Sequence, residues 1–226
     1  MVSFADIFQR AAARKGGEEA LQKFLQLDLK TPRQLAQTPD DRYLSEMTRA
    51  IFKAGFVWKV IDSKWPGFET AFWGFDIDRC MGMSPDDEDA LCRDERIVRN
   101  RQKILTVPHN AQMIDAIRRE HGGFGVYIGS WPDDDFVGLL ATLGKQGARL
   151  GGMTCQYFLR FVGRDGFALS RDGVYALIDA GVIDKPPTSK AALQKVQQAY
   201  NRWREESGFG LAQISRILAL SIDAPS

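Results

Sequence analysis

Apolar residues recur at intervals of three and four along most of the chain, and no run alternates between apolar and polar strictly enough to predict a strand. Two short helices are predicted first, Phe4 to Lys15 and Glu18 to Leu27, with breaks at Thr31-Pro32 and Thr38-Pro39. Residues 1–40 therefore read as an N-terminal helical cap. From Asp40 a helix carries Leu44, Met47, Ile51 and Ala54 on one stripe and runs toward Gly55 and Trp58. Trp65-Pro66 is expected to open the next segment, Phe68 to Phe75 is dense in aromatics, and Ser84-Pro85-Asp86-Asp87 reads as a helix start. Ile104, Ala111, Ile114 and Ile117 predict a further helix, kinked at Pro108 and closed by His121-Gly122-Gly123. A turn at Trp131-Pro132-Asp133 precedes a helix through Leu139, Leu140 and Leu143. Near the end, Thr188 is expected to cap a helix bearing Leu193, Val196, Tyr200 and Trp203, Gly208 ends it, and Leu211 to Leu220 forms the last. The predicted fold is all-α, with near ten helices.

Composition narrows this only a little. A chain of 226 residues suffices for one sizeable helical domain or two small lobes. The apolar fraction of 44% and charged fraction of 26% are ordinary for a globular protein, and no apolar run approaches the roughly 18 residues of a membrane span. The N-terminus lacks an apolar signal core, so the expected location is cytoplasmic, with no membrane contact. Three cysteines, Cys80, Cys92 and Cys155, match neither a disulfide framework nor a metal spacing, and His109 and His121 have no acidic partner in a ligand pattern. No metal and no cofactor are expected. A net charge of +1 leaves nucleic acid open, because a DNA-binding face needs only a local cluster of basic residues.

The segment with most chemistry in it is Lys145-Gln146-Gly147-Ala148-Arg149-Leu150-Gly151-Gly152-Met153-Thr154, lying between one apolar helix and another predicted from Cys155 to Val162. A tight glycine-containing turn leaves backbone N–H groups exposed at the start of the second helix, where they can bind a phosphate. Glycine suits such a turn because positive φ, or close approach of a phosphate, excludes a Cβ. From the glycines alone, an ordinary helix connection is the more economical reading.

The neighbouring residues add a resemblance. Leu150-Gly151-Gly152-Met153-Thr154 looks like the hairpin of the helix-hairpin-helix DNA glycosylases, and Asp172 follows Gly152 by twenty residues in Leu169-Ser170-Arg171-Asp172-Gly173-Val174, the distance of that superfamily's catalytic Asp. The blocks Ala54-Gly55-Phe56-Val57-Trp58, Phe72-Trp73-Gly74-Phe75-Asp76, Ile97 to Ile104 with Asn110-Ala111, and Gly152 to Tyr157 resemble the 3-methyladenine DNA glycosylase I family. The resemblance covers about residues 43–163. It implies a helical glycosylase domain over 41–226, with the hairpin at about 140–163. The chain departs from that family in lacking its terminal Cys and His zinc set, and in placing Ala50 where the family has a functional acid; Glu46, one turn earlier, is the nearest substitute.

The resemblance implies a monofunctional enzyme of base excision repair that hydrolyses the N-glycosidic bond of an alkylated base, with 3-methyladenine as the expected lesion. Such an enzyme extracts a nucleotide from the duplex, stacks its base on aromatic walls and stabilises the positive charge that develops on the sugar. Asp172 and Glu46 are the candidate acids. Trp58, Phe56 and Tyr157 are the candidate base pocket. Lys145, Arg149, Gly151, Gly152 and Thr154 at the hairpin, and Arg99, Arg101 and Lys103 from the basic stretch, are the candidate DNA contacts. Gln156 occupies the position where strand-nicking members carry a Schiff-base lysine, and an amide cannot serve as that nucleophile. The expected partner is double-stranded DNA carrying a damaged base, engaged by a monomer. The alternative is a non-catalytic helix-hairpin-helix protein that binds DNA or senses damage.

Overall fold

A computed structural model describes residues 2–223. In chain order its α-helices are α1 (Phe4–Lys15), α2 (Glu18–Phe24), α3 (Pro32–Ala36), α4 (Asp40–Lys53), α5 (Trp58–Ala71), α6 (Ile77–Met81), α7 (Pro85–Arg93), α8 (Arg101–Ile104), α9 (Thr106–His121), α10 (Phe124–Ser130), α11 (Phe136–Gln146), α12 (Met153–Phe161), α13 (Arg171–Asp179), α14 (Lys190–Ser207) and α15 (Leu211–Leu220). No strand occurs among the described residues, and none of their helices is long and apolar enough to cross a membrane. The all-α expectation holds. The count exceeds the expected ten because several helices are only one or two turns long.

Several boundaries differ from expectation for local reasons. Pro66 does not open a segment; it lies inside α5, where the lost backbone bond is outweighed by burying Ile61, Trp65, Phe68 and Ala71 along one stripe. Pro108 makes no kink because it falls in the first turn of α9, where N–H groups have no intrahelical partner anyway. Ser189 rather than Thr188 caps α14, its hydroxyl accepting from the Ala192 N–H. Helix α2 ends at Phe24 instead of Leu27, and α12 starts at Met153, two residues before the expected Cys155.

The chain divides into two compact units. The first gathers residues 2–29, 132–138 and 165–223, so the N-terminal segment packs with the C-terminal helices; the second holds 30–131 and 139–164. In the first unit, Phe167 stacks on Tyr200 with ring centroids 4.3 Å apart, and Trp203 meets both Tyr200 and Phe4. Asp165 caps α15, its carboxylate accepting from the N–H groups of Leu211 (3.0 Å) and Ala212 (2.7 Å).

In the second unit the aromatics expected to crowd residues 68–75 form a graded stack of Trp65, Phe68, Phe72 and Phe75. The chain reverses there through three consecutive left-handed residues, Trp73, Gly74 and Phe75. Such a conformation costs each of the two non-glycine residues about 1–2 kcal/mol, and burying the Phe75 ring, worth roughly 1.5–3 kcal/mol, offsets much of it. Arg42 fastens the reversal by donating to the Gly74 carbonyl and, through two nitrogens, to Glu69 at 3.0 and 3.1 Å. Glu69 also accepts from Ser45 (2.6 Å) and the Trp65 indole N–H (3.2 Å). Helix α10 lies so close to α3 that a Cβ on Gly125 would stand 2.1 Å from the Leu35 carbonyl oxygen. The buried Tyr43 hydroxyl donates to that same oxygen at 2.7 Å. Cys80 and Cys155 are buried unpaired thiols, each pushed up to about 12 by burial.

Burial pushes the Glu69 carboxyl up, but the hydrogen bonds from Arg42, Ser45 and Trp65 outweigh it and hold the group below the ordinary glutamate value. A lowered folded value means that the stabilisation is present above the unfolded carboxylate pKa and is lost as pH falls through the folded one. Glu69→Gln is expected to lower unfolding free energy at neutral pH by about 2 kcal/mol and to flatten the loss of stability on acidification. Urea unfolding of both proteins from neutral to acid pH checks this.

Candidate base pocket and hairpin

The second unit contains a cavity of about 300 Å³ lined by Ala50, Lys53, Ala54 and Gly55 from the end of α4, Trp58 from the start of α5, and Met153, Thr154, Tyr157 and Phe161 from α12. That volume is at the lower end of the range of small-molecule sites, about 300–1,000 Å³. Its walls are aromatic. Tyr157 and Phe161, four residues apart and hence on one face of α12, lie edge-on to Trp58 at 5.1 and 5.7 Å. Trp58 is 41% exposed, so its ring is open to solvent instead of sealed in the core. Ala50 contributes only a methyl group and thereby leaves the space beside Trp58 open.

One ionised side chain lines this cavity. Lys53 Nζ lies 4.9 Å from the centroids of both Trp58 and Phe161 and 2.8 Å from an Asp62 carboxylate oxygen. Glu46 lies two turns before Lys53 on α4 and is outside the cavity lining. It accepts from Arg49 at 2.9 Å, and burial raises its pKa above the ordinary glutamate value against the pull of Arg49 and Lys53. Arg49 in turn reaches Asp62 at 3.5 Å. The four side chains thus form a charge-balanced row along one edge of α4.

The hairpin joins α11 to α12 through Gly147–Gly152. Leu150 is buried, while Gly151 and Gly152 are exposed. Gly152 caps α12 with φ 56° and ψ −131°, a conformation that excludes a side chain even though a Cβ there would meet nothing within 4 Å. No side chain caps α12, so its first N–H groups are left to an external acceptor. The turn is fixed from behind. Buried Asn110 on α9 donates from Nδ2 to the Ala148 carbonyl at 3.2 Å, and its Oδ1 accepts from the Ala148 N–H at 2.7 Å. Lys145 and Arg149 are exposed beside the turn, and Arg149 donates to the Gln102 side chain. Thr154, the second residue of α12, faces the cavity.

The basic stretch divides between solvent and interior. Lys103 is buried: its Nζ donates to the carbonyls of Ala54 (2.6 Å) and Phe52 (3.2 Å), satisfying the C-terminus of α4, and lies over the Phe56 ring at 4.8 Å. Burial, then the Arg149 charge, lower its pKa below the ordinary lysine value. Arg101 is exposed and paired with Asp89 at 3.0 Å and Glu88 at 3.6 Å; Arg99 is exposed, 3.8 Å from Glu95. Phe56 is 41% exposed on the loop before Trp58 and lies outside the cavity lining. Gln156 is buried on α12.

Asp172 belongs to the first unit. It is the second residue of α13 and exposed, in a first turn whose cap is Ser170, the hydroxyl accepting from the Gly173 N–H at 3.2 Å. An acid there also complements the helix dipole. Of the three residues expected in the pocket, Trp58 and Tyr157 line the cavity and Phe56 does not; Thr154, expected as a DNA contact, lines it too, and Lys53 and Phe161 were not anticipated from the sequence. Phe161 was within reach, since it follows Tyr157 by one helical turn. Lys53 was not, because a lysine ending an amphipathic helix reads as an ordinary dipole partner.

Residues 35–138 match the methyladenine glycosylase family. Among solved structures, the chain is similar to 3-methyladenine DNA glycosylase I from Staphylococcus aureus, at 20% identity and a TM-score of 0.52 over 70% of this chain and 91% of that one. It is similar to a 3-methyladenine DNA glycosylase I variant in complex with 3-methyladenine, at 21% identity and a TM-score of 0.52 over 69% and 91%. It is also similar to the 8-oxoguanine glycosylase/lyase of Methanocaldococcus jannaschii, solved with DNA containing 8-oxoguanine, at 14% identity and a TM-score of 0.56 over 94% of each chain. Identities this low speak for the fold, and the family match speaks for the segment that builds α4, α5 and the Asn110 clamp. The chain has the helical fold of these DNA glycosylases, and within it residues 35–138 match the methyladenine glycosylase family.

Proposed function

We propose that this protein removes a damaged purine from duplex DNA by hydrolysing its N-glycosidic bond, with 3-methyladenine the first lesion to test. The observation that carries this reading is that one nine-residue helix, α12, supplies both halves of a nucleotide-extraction device. Its uncapped start at Gly152 offers backbone donors to a phosphate, and its next two turns supply Tyr157 and Phe161 to the aromatic cavity. A strand held at the first would present an everted base to the second. Trp58 receives the base, and Lys145, Arg149, Gly151 and Thr154 border the phosphate contact; exposed Arg99 and Arg101 are further phosphate contacts.

The reaction needs a carboxylate to stabilise the sugar cation and direct water. Asp172 is the residue we assign to it, on its spacing from the hairpin and its exposure on α13; Glu46, already engaged with Arg49, is the less suited acid. Water adds to C1′, the bond to the base breaks, and an abasic site remains. The protein works as a monomer, at the location of the DNA it repairs.

Incubation with methylated duplex DNA is expected to release free 3-methyladenine, and Asp172→Asn to reduce the rate by about a hundredfold or more while leaving DNA binding in place. Equal binding with no release by either protein would favour a damage-sensing module instead. Borohydride should trap no covalent protein–DNA adduct, since Gln156 replaces the amine nucleophile; an adduct on a denaturing gel contradicts this. Replacing Lys145 and Arg149 together with Ala is expected to reduce the slope of log affinity against log salt by about 2, on any sequence. A fluorescence-anisotropy salt series measures it.

A further inference from the structure

The aromatic cavity holds an ammonium group that its stacking role does not require. The Lys53 side chain is only 10% exposed, and Nζ is fixed from three directions by Asp62, the Trp58 ring and the Phe161 ring. An ammonium has three N–H donors, and aromatic faces stabilise its charge without accepting a conventional hydrogen bond. Asp62 engages the ammonium as an ion pair on one side, which leaves donor capacity at the cavity wall. The charge also lies over one face of each ring, where it competes with the attraction of a cationic base for the same rings.

An alkylated purine that carries a positive charge in DNA would meet a like charge at close range here, where part of the surrounding water is excluded. A neutral purine with an exocyclic oxygen would instead offer the ammonium an acceptor, and a charge-assisted hydrogen bond is among the stronger kinds. We infer, on the reading of this cavity as a base pocket, that Lys53 is a specificity residue which donates a hydrogen bond to the exocyclic oxygen of a neutral oxopurine and extends excision to that class of lesion. As the glycosidic bond breaks, its electron pair goes to the departing base, water supplies a hydroxyl to C1′ and a proton to the base, and Lys53 keeps its own proton. The hydrogen bond spreads the negative charge that the base acquires, a need that a cationic leaving group does not have.

The test compares wild type, Lys53→Met and Lys53→Gln on duplexes containing hypoxanthine, an oxopurine, or 3-methyladenine, together with calorimetric titration of free hypoxanthine. Wild type is expected to release both bases. The ratio of hypoxanthine to 3-methyladenine release should fall about tenfold in Lys53→Met, the size expected for one charged hydrogen bond, and less in Lys53→Gln, which keeps a neutral donor. The affinity for free hypoxanthine should fall in the same order. An unchanged ratio, or equal losses on both substrates, overturns the assignment. If wild type releases neither base, the glycosylase reading fails, and the titration alone decides on Lys53: no binding by wild type, or the same affinity in Lys53→Met, overturns it.

Discussion

The carboxamide of Asn110 is fully buried, and both of its polar ends are spent on one residue of another segment, the N–H and C=O of Ala148. A buried amide left without partners costs about 1–3 kcal/mol for each stranded group, so the pairing is strongly specified. It acts where the chain has no helical ladder of its own, in the turn from Gly147 to Gly152. With Ala148 fixed from α9 and Leu150 buried, the left-handed residues Arg149 and Gly152 have little freedom left. The start of α12 is thereby aimed. Since α12 also forms one wall of the aromatic cavity, the clamp sets both the hairpin and the pocket.

A second lysine does for α4 what Asn110 does for the hairpin. Lys103 donates to the carbonyls of Phe52 and Ala54, so the helix ends there and the chain turns through Gly55, Phe56 and Val57 into Trp58. Lys103 and Lys53 therefore have opposite duties although both are buried. One neutralises backbone acceptors inside the fold; the other keeps an ammonium at the cavity, balanced by Asp62 and by the row of Arg49 and Glu46 behind it.

The cavity between α4, α5 and α12 combines aromatic surface with one cation and has no acid in its lining. Ala50 leaves room, the rings supply stacking area, and Lys53 is the charged group that remains in the lining. The proposed function accordingly assigns base recognition and bond cleavage to different residues.

Much of the fold was legible in the sequence, because helix periodicity and caps are local. The spans Phe4–Lys15 and Leu211–Leu220, the start at Asp40, and the glycine stops at Gly122 and Gly208 follow from apolar spacing and from conformations that only glycine adopts cheaply. The hairpin was legible for the same reason, and Trp58 and Tyr157 through the blocks that carry the family resemblance. Pro66 misled because its local cost is visible in sequence, whereas the burial that outweighs it is not. Which of Lys53, Arg101 and Lys103 meets solvent, a carbonyl or a ring was decided only by tertiary structure: a charged side chain takes its role from partners dozens of residues away, and no pattern along the chain records them.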